Sequence, residues 1–167
     1  MSNSIDAMRQ LPCTEMRSSD LSGKSFNPGV YCLSAAELNG EMTLDSMNDA
    51  TGVYIFRVAG SLNSKNGSSI RLENGAQGGN VFFVAEDATI GNDVSFRANV
   101  LTKGDIAIGT GSTVTDKVMS LGKVEMGGSA LLGGTTGTME ICKEQQLPVT
   151  AANDLSNRIF HFVVTGA

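Results

Sequence analysis

The chain has 167 residues, enough for one medium domain, with 41% apolar residues, 5% aromatics, no Trp, 20 Gly and 17% charged residues. Its net charge is −5 and its pI about 4.8; without clustered Lys and Arg to displace counterions, this argues against nucleic acid as a partner and against an anionic membrane surface. No apolar run reaches the ~18 residues of a membrane span, and Met1-Ser2-Asn3-Ser4 has neither the basic nor the apolar region of a secretory signal.

Low charge with abundant Gly, Ser, Thr and Val predicts an all-β, turn-rich chain. The first expected element is nevertheless helical, over residues 4–11, ending before Pro12. Cys13 and Cys32 then bracket a short polar stretch. They either close a loop, which would stabilise by about 3 kcal/mol in the chain-entropy model, or remain two buried thiols. Cys142 is left over, either as a free thiol or with a partner beyond the chain. The cysteine spacing fits no zinc pattern, and the single His cannot complete a ligand set, so no metal or cofactor site is expected.

From residue 60 onward the sequence repeats. Glu86-Asp87-Ala88-Thr89-Ile90-Gly91 is echoed by Gly104-Asp105-Ile106-Ala107-Ile108-Gly109 and by Gly122-Lys123-Val124-Glu125-Met126-Gly127, eighteen residues apart each time. A longer coil precedes them, starting at Gly60, and its excess fits the polar, Gly-rich insert over residues 73–80. Four apolar columns emerge: Leu62, Ala88, Ile106 and Val124; Ile90, Ile108 and Met126; Ile70, Phe96 and Val114; Phe56, Phe82, Val100 and Val118. Alternation around these positions has the period of strands. An eighteen-residue step with three short strands per turn is what a three-sided parallel β-helix needs, each coil lying ~4.8 Å above the last and burying its apolar face only by stacking.

One further column, Phe83, Leu101 and Met119, is offset by one residue and should point outward, where large apolar side chains need a cover. The helix expected over residues 4–11 is short for that task. A longer helix upstream is therefore expected, and the chain as given should tend to associate or to depend on the missing segment. Residues 139–167 leave the repeat. They contain Met139-Glu140-Ile141-Cys142-Lys143 and an alternating stretch, residues 158–164, that reads as a strand. The expected organisation is a solenoid domain over 1–138 and, over 139–167, the start of a following extracellular β-sandwich-like domain or a tail.

Several stretches carry a family resemblance: Pro12-Cys13-Thr14; Asn27-Pro28-Gly29-Val30-Tyr31-Cys32; Glu41-Met42-Thr43-Leu44-Asp45; residues 53–62; and, most specifically, Asn74-Gly75-Ala76-Gln77 followed by Asn80-Val81-Phe82-Phe83. With the coils that follow, to about Leu131, this chain resembles the ice-binding-like family of β-solenoid domains. The resemblance implies a discontinuous right-handed parallel β-helix with a long helix packed along one side, and further coils before that helix, absent from this chain, that complete one end of the solenoid. It also implies an extracellular, non-enzymatic protein that adsorbs to ice or ordered water through a flat outward strand face. The stretch from Met139 is similar to the start of an extracellular sandwich repeat, which would place the partner of Cys142 downstream.

No nucleophile constellation and no phosphate-binding loop stand against that reading, and His161 lies outside the solenoid as a tail residue. The face implied for ice maps onto the column Thr43, Asn63, Thr89 and Ala107, with Ser61 in the neighbouring column. That neighbouring column, Glu41, Ser61, Asp87, Asp105 and Lys123, is charged and suits the role poorly. A second row, Ser69/Arg71, Ser95/Arg97 and Thr113/Thr115, also carries charge. The same Thr and Ser residues also fit ordinary exposed strand positions, where β-propensity favours them. Two alternatives stay open: a structural or adhesive module partnering other domains of a larger cell-surface protein, and an enzyme or glycan-binding solenoid.

Overall fold

The computed structural model describes residues 2–16 and 19–133. The expectations for Cys142, His161, the strand at 158–164 and the boundary after residue 138 fall outside those residues. One helix, α1 (Ser2–Gln10), precedes a stack of short strands. The stack begins with β1 (Glu15–Met16) and β2 (Ser25–Phe26). The next two turns are β3 (Gly29–Leu33), β4 (Ala36–Leu38) and β5 (Glu41–Asp45), then β6 (Tyr54–Val58), β7 (Leu62–Ser64) and β8 (Ser69–Glu73). β9 (Val81–Ala85), β10 (Ala88–Ile90) and β11 (Ser95–Phe96) follow, then β12 (Asn99–Thr102), β13 (Ile106–Ile108) and β14 (Thr113–Val114). The last rung among the described residues is β15 (Val118–Ser120), β16 (Val124–Met126) and β17 (Leu131–Leu132).

These strands form three sheets, in the orders β1-β3-β6-β9-β12-β15, β4-β7-β10-β13-β16 and β2-β5-β8-β11-β14-β17. Neighbouring strands pair in parallel, and each sheet takes one strand per turn. The three-sided parallel β-helix expected from the repeat is the fold that forms. Ile90, Ile108 and Met126 stand in direct register, as do Leu62, Ala88, Ile106 and Val124.

The corners of the second sheet explain why its strands are only three residues long. Gly91, Gly109 and Gly127 end three successive strands, and a Cβ on them would lie 2.7, 2.5 and 2.6 Å from backbone of the preceding rung. Only a residue without a side chain lets the rungs close up there. Beside them the Oδ1 of Asn66 accepts the Asn92 N–H at 2.9 Å, and that of Asn92 accepts the Thr110 N–H at 2.9 Å. These side-chain bonds satisfy corner amides that the strand ladders leave free.

Inside, the first sheet carries an aromatic ladder. Tyr31, Phe56 and Phe83 occupy successive rungs of one inward column, with ring centroids 5.3 and 4.5 Å apart. Phe26 meets Tyr31 and Phe56 edge-on, and Phe96 closes on Phe83. The column continues as Val100 and Val118.

The fourth column is therefore corrected: its member in β9 is Phe83, fully buried, and not Phe82. From Phe83 to Val100 the step is seventeen residues, because the corner after β9 is one residue shorter than those after β6 and β12. Phe82 is partly buried on the outside. The outward column reads Arg57, Val84, Leu101 and Met119.

That column does not lack a cover. The nine-residue α1 lies across it and buries Ile5 completely against Val84 and Leu101, with Met8, Phe82, Met119 and Leu121 around them. Ile5 and Met8 are three apart and share one helix face. Three polar ties hold the helix: Asp6 to Lys103 at 2.7 Å, Arg9 to Glu86, and the Arg57 guanidinium donating to the Leu11 carbonyl. A Cys13–Cys32 disulfide, Cα atoms 5.7 Å apart, fixes the exit of the helix to β3. This pairing decides between the two readings left open for these cysteines.

The two long connections, residues 46–53 and 74–80, stack on each other at one corner. Asn74 donates to Asp45 Oδ1 at 2.8 Å, its carbonyl accepts from the Asn48 N–H and the Ser46 hydroxyl, and Asn80 donates to the Ala50 carbonyl.

Candidate functional site

Three outward faces are available to a three-sided solenoid, and the structure distinguishes them. The first sheet's face is occupied by α1. The third presents Glu41, Ser69, Ser95, Thr113 and Leu131 in one register column, beside Thr43 and Arg71. Arg71 bridges Glu41 at 3.2 Å and Glu73 at 3.0 Å, so ion pairs cross this face at its middle rungs.

The second sheet's strands each show one side chain outward. In rung order these are Glu37, Asn63, Thr89, Ala107 and Glu125. Asn63, Thr89 and Ala107 are thus brought together as expected, on consecutive rungs. Thr43 is not with them: it lies on β5 in the third sheet, in register with Ser25 and Arg71. Glu37 takes the place assigned to Thr43. The signal was present in Ala36-Glu37-Leu38, which alternates as Leu62-Asn63-Ser64 does and pairs with it in register.

Ser61, Asp87, Asp105 and Lys123 line the corner that precedes these strands, with backbone bonds from rung to rung. Glu41 does not belong there, since it pairs with Ser69. The acidic residues of this corner have a structural task. Asp87 Oδ1 accepts the Asp105 N–H at 3.0 Å, and Asp105 Oδ1 accepts the Lys123 N–H at 2.9 Å. Each carboxylate caps the next rung's amide along the solenoid axis, and Gly104 and Gly122 leave the room it needs.

The last outward position is charged. Lys123 Nζ lies 2.8 Å from Glu125 Oε1, and this hydrogen bond raises the lysine pKa above its ordinary value. A shallow trough of about 410 Å³ beside the disulfide is lined by Arg9, Arg57 and Ser34. A second, of about 380 Å³, runs along the second sheet past Thr89, Ala107 and Glu125 and is also lined by Gly91, Gly109 and Gly127. Among the described residues no group of His, Cys, Asp or Glu could hold a metal ion, and no helix is long and apolar enough to cross a membrane.

A family model described as ice-binding-like matches residues 2–131. An ice-binding protein of Nostoc sp. (strain HG1) is 34% identical over 106 residues, 62% of this chain and 39% of that protein. One of Colwellia sp. is 31% identical over 119 residues, 69% of this chain and 46% of that protein. This chain therefore spans less than half the length of these curated relatives. The crystal structure of an ice-binding protein from the Antarctic ascomycete Antarctomyces psychrotrophicus superposes with a TM-score of 0.77 at 31% identity, covering 81% of this chain and 68% of that one. An Arctic yeast ice-binding protein shares the fold with a TM-score of 0.75 at 19% identity, covering 86% and 63%. With the rungs, the side helix and these matches in agreement, the chain belongs to the ice-binding-like family.

Proposed function

We propose that this protein binds ice through the outward face of the second sheet, slowing ice growth and recrystallisation. The observation that carries the reading is the uncharged run Asn63, Thr89 and Ala107, aligned on consecutive rungs of a sheet that no helix among the described residues covers. Strands in a parallel sheet repeat at about 4.8 Å, so an amide, a hydroxyl and methyl groups recur at a fixed spacing on a rigid support. Such a row holds surface water in an ordered layer, which a growing ice front can incorporate. Charged groups hold water in their own geometry and oppose this, which counts against the third sheet with its Arg71 ion pairs. Ser61, at the edge of the second sheet, belongs to the margin of the proposed surface.

The reading includes no catalysis, its partner being ice or ordered water. It places the protein outside the cell, where a disulfide such as Cys13–Cys32 persists. The test is recrystallisation in frozen sucrose. Grains should stay small at micromolar protein; coarsening as fast as with albumin would remove the proposal.

A further inference from the structure

We infer that the Lys123–Glu125 ion pair terminates the ice-contact surface, and that the scaffold beneath it is already fit to carry one more rung of it. The inference rests on the ice-binding reading of the second sheet.

β16 continues the second sheet without a break: Val124, Glu125 and Met126 stand in register with Ile106, Ala107 and Ile108. Glu125 therefore occupies the same outward column as Thr89 and Ala107, on a strand whose inward side is less covered: Met126 is 40% exposed where Ile90 and Ile108 are buried. The trough beside that column passes Thr89 and Ala107 and runs up to Glu125. There Gly127 repeats the close corner packing of Gly91 and Gly109. At the opposite limit Glu37 stands next to Asn63, so carboxylates close the uncharged run on both sides.

The pair is well placed to disturb ordered water. Lys123 and Glu125 are 61% and 64% exposed, so both charged ends stand in solvent over the face. An ammonium is a compact, strongly hydrated charge, and a carboxylate accepts hydrogen bonds only. Each fixes the water around it in a pattern unlike the one the Asn63–Thr89–Ala107 run repeats. An exposed pair of this kind adds little to stability, and at the strand position of Glu125 threonine suits a strand better than glutamate. Exchanging the pair therefore changes the surface and leaves the fold.

The experiment compares four proteins in the sucrose recrystallisation assay: the natural chain, Thr89→Tyr, Lys123→Thr/Glu125→Thr, and the reversed pair Lys123→Glu/Glu125→Lys. Thermal unfolding is followed for each. The threonine double variant should inhibit at a several-fold lower concentration than the natural chain, while the reversed pair should match the natural chain. Glu125→Gln, which keeps the side chain's shape and removes its charge, should fall between; it decides the matter if the double variant is unstable. If the natural chain inhibits, Thr89→Tyr does not, and neither neutral variant gains, the inference is overturned while the ice-binding reading stands. If the natural chain itself is inert, both fail.

Discussion

The ring of Phe56 lies flat on that of Phe83, with centroids 4.5 Å apart and planes 9° from parallel, one rung above the other. Both rings are fully buried, and Tyr31 extends the stack on the next rung. Phe82, one residue away, faces the helix instead. Phe83→Ala should therefore cost about 3–5 kcal/mol, and Phe82→Ala clearly less. Urea unfolding of both variants checks this; equal losses would contradict the register described for β9.

The disulfide and α1 act together on the outer face of the first sheet. Cys13 and Cys32 are 19 residues apart, and a crosslink of that span stabilises by about 3 kcal/mol in the chain-entropy model. Cys13→Ser/Cys32→Ser should lose roughly that much. It should also free the helix exit, so that Val84 and Leu101 become accessible to an apolar dye. Unchanged dye binding would show that Ile5 and the Asp6–Lys103 pair hold the helix unaided.

Two glycines give a paired test of rung closure. At Gly109 an added Cβ would meet the carbonyl carbon and oxygen of Gly91 at 2.5 Å; at Gly128 it would meet nothing within 4 Å. Gly109→Ala should destabilise by about 1–3 kcal/mol, the usual cost of overpacking, and Gly128→Ala should be near neutral. Calorimetric melting temperatures measure the difference.

Stability should fall at both extremes of pH, for separate reasons. Burial first, then nearby Asp45, Tyr31 and Asp49, push the Tyr54 hydroxyl from its ordinary 10.0 up to about 12. The folded form holds this proton more tightly, so its contribution is complete below pH 10 and is lost as pH rises through about 12. Tyr54→Phe should flatten that alkaline limb; because the buried hydroxyl has no hydrogen-bond partner among the described residues, it should not weaken the fold at neutral pH. On the acid side the Asn74 amide, with the Met47 N–H, holds the Asp45 carboxyl below its ordinary 3.8. Its contribution is present above that value and is lost as pH falls through the lowered one. Asp45→Asn should reduce the acid sensitivity, read from unfolding curves at a series of acid pH values.

The repeat was legible wherever polar residues punctuate the apolar ones. Ile90, Ile108 and Met126 are each followed by Gly and separated by corner residues, so their register could be read directly. Val81-Phe82-Phe83-Val84 offers no such punctuation: four apolar residues in a row fit either phase. The phase is set by the corner at Glu86-Asp87, one residue shorter than its neighbours, which a constant eighteen-residue step conceals. Thr43 was misplaced for a related reason. Met42 and Leu44 point inward on any of the three sheets, and only the length of the connection over residues 46–53 shows that β5 ends a rung. The covering helix was visible as Ile5 and Met8 at helical spacing, but its polar anchors were not: the Lys103, Glu86 and Arg57 contacts come from distant rungs.

The central claim, that ice is met by the second sheet and not by the third, is tested most directly by placing one bulky side chain on each. Thr89 and Ser95 are both exposed outward residues of the same rung, on β10 and β11. In the recrystallisation assay Thr89→Tyr should abolish inhibition while Ser95→Tyr leaves it intact. Loss with Ser95→Tyr and full activity with Thr89→Tyr would contradict the account.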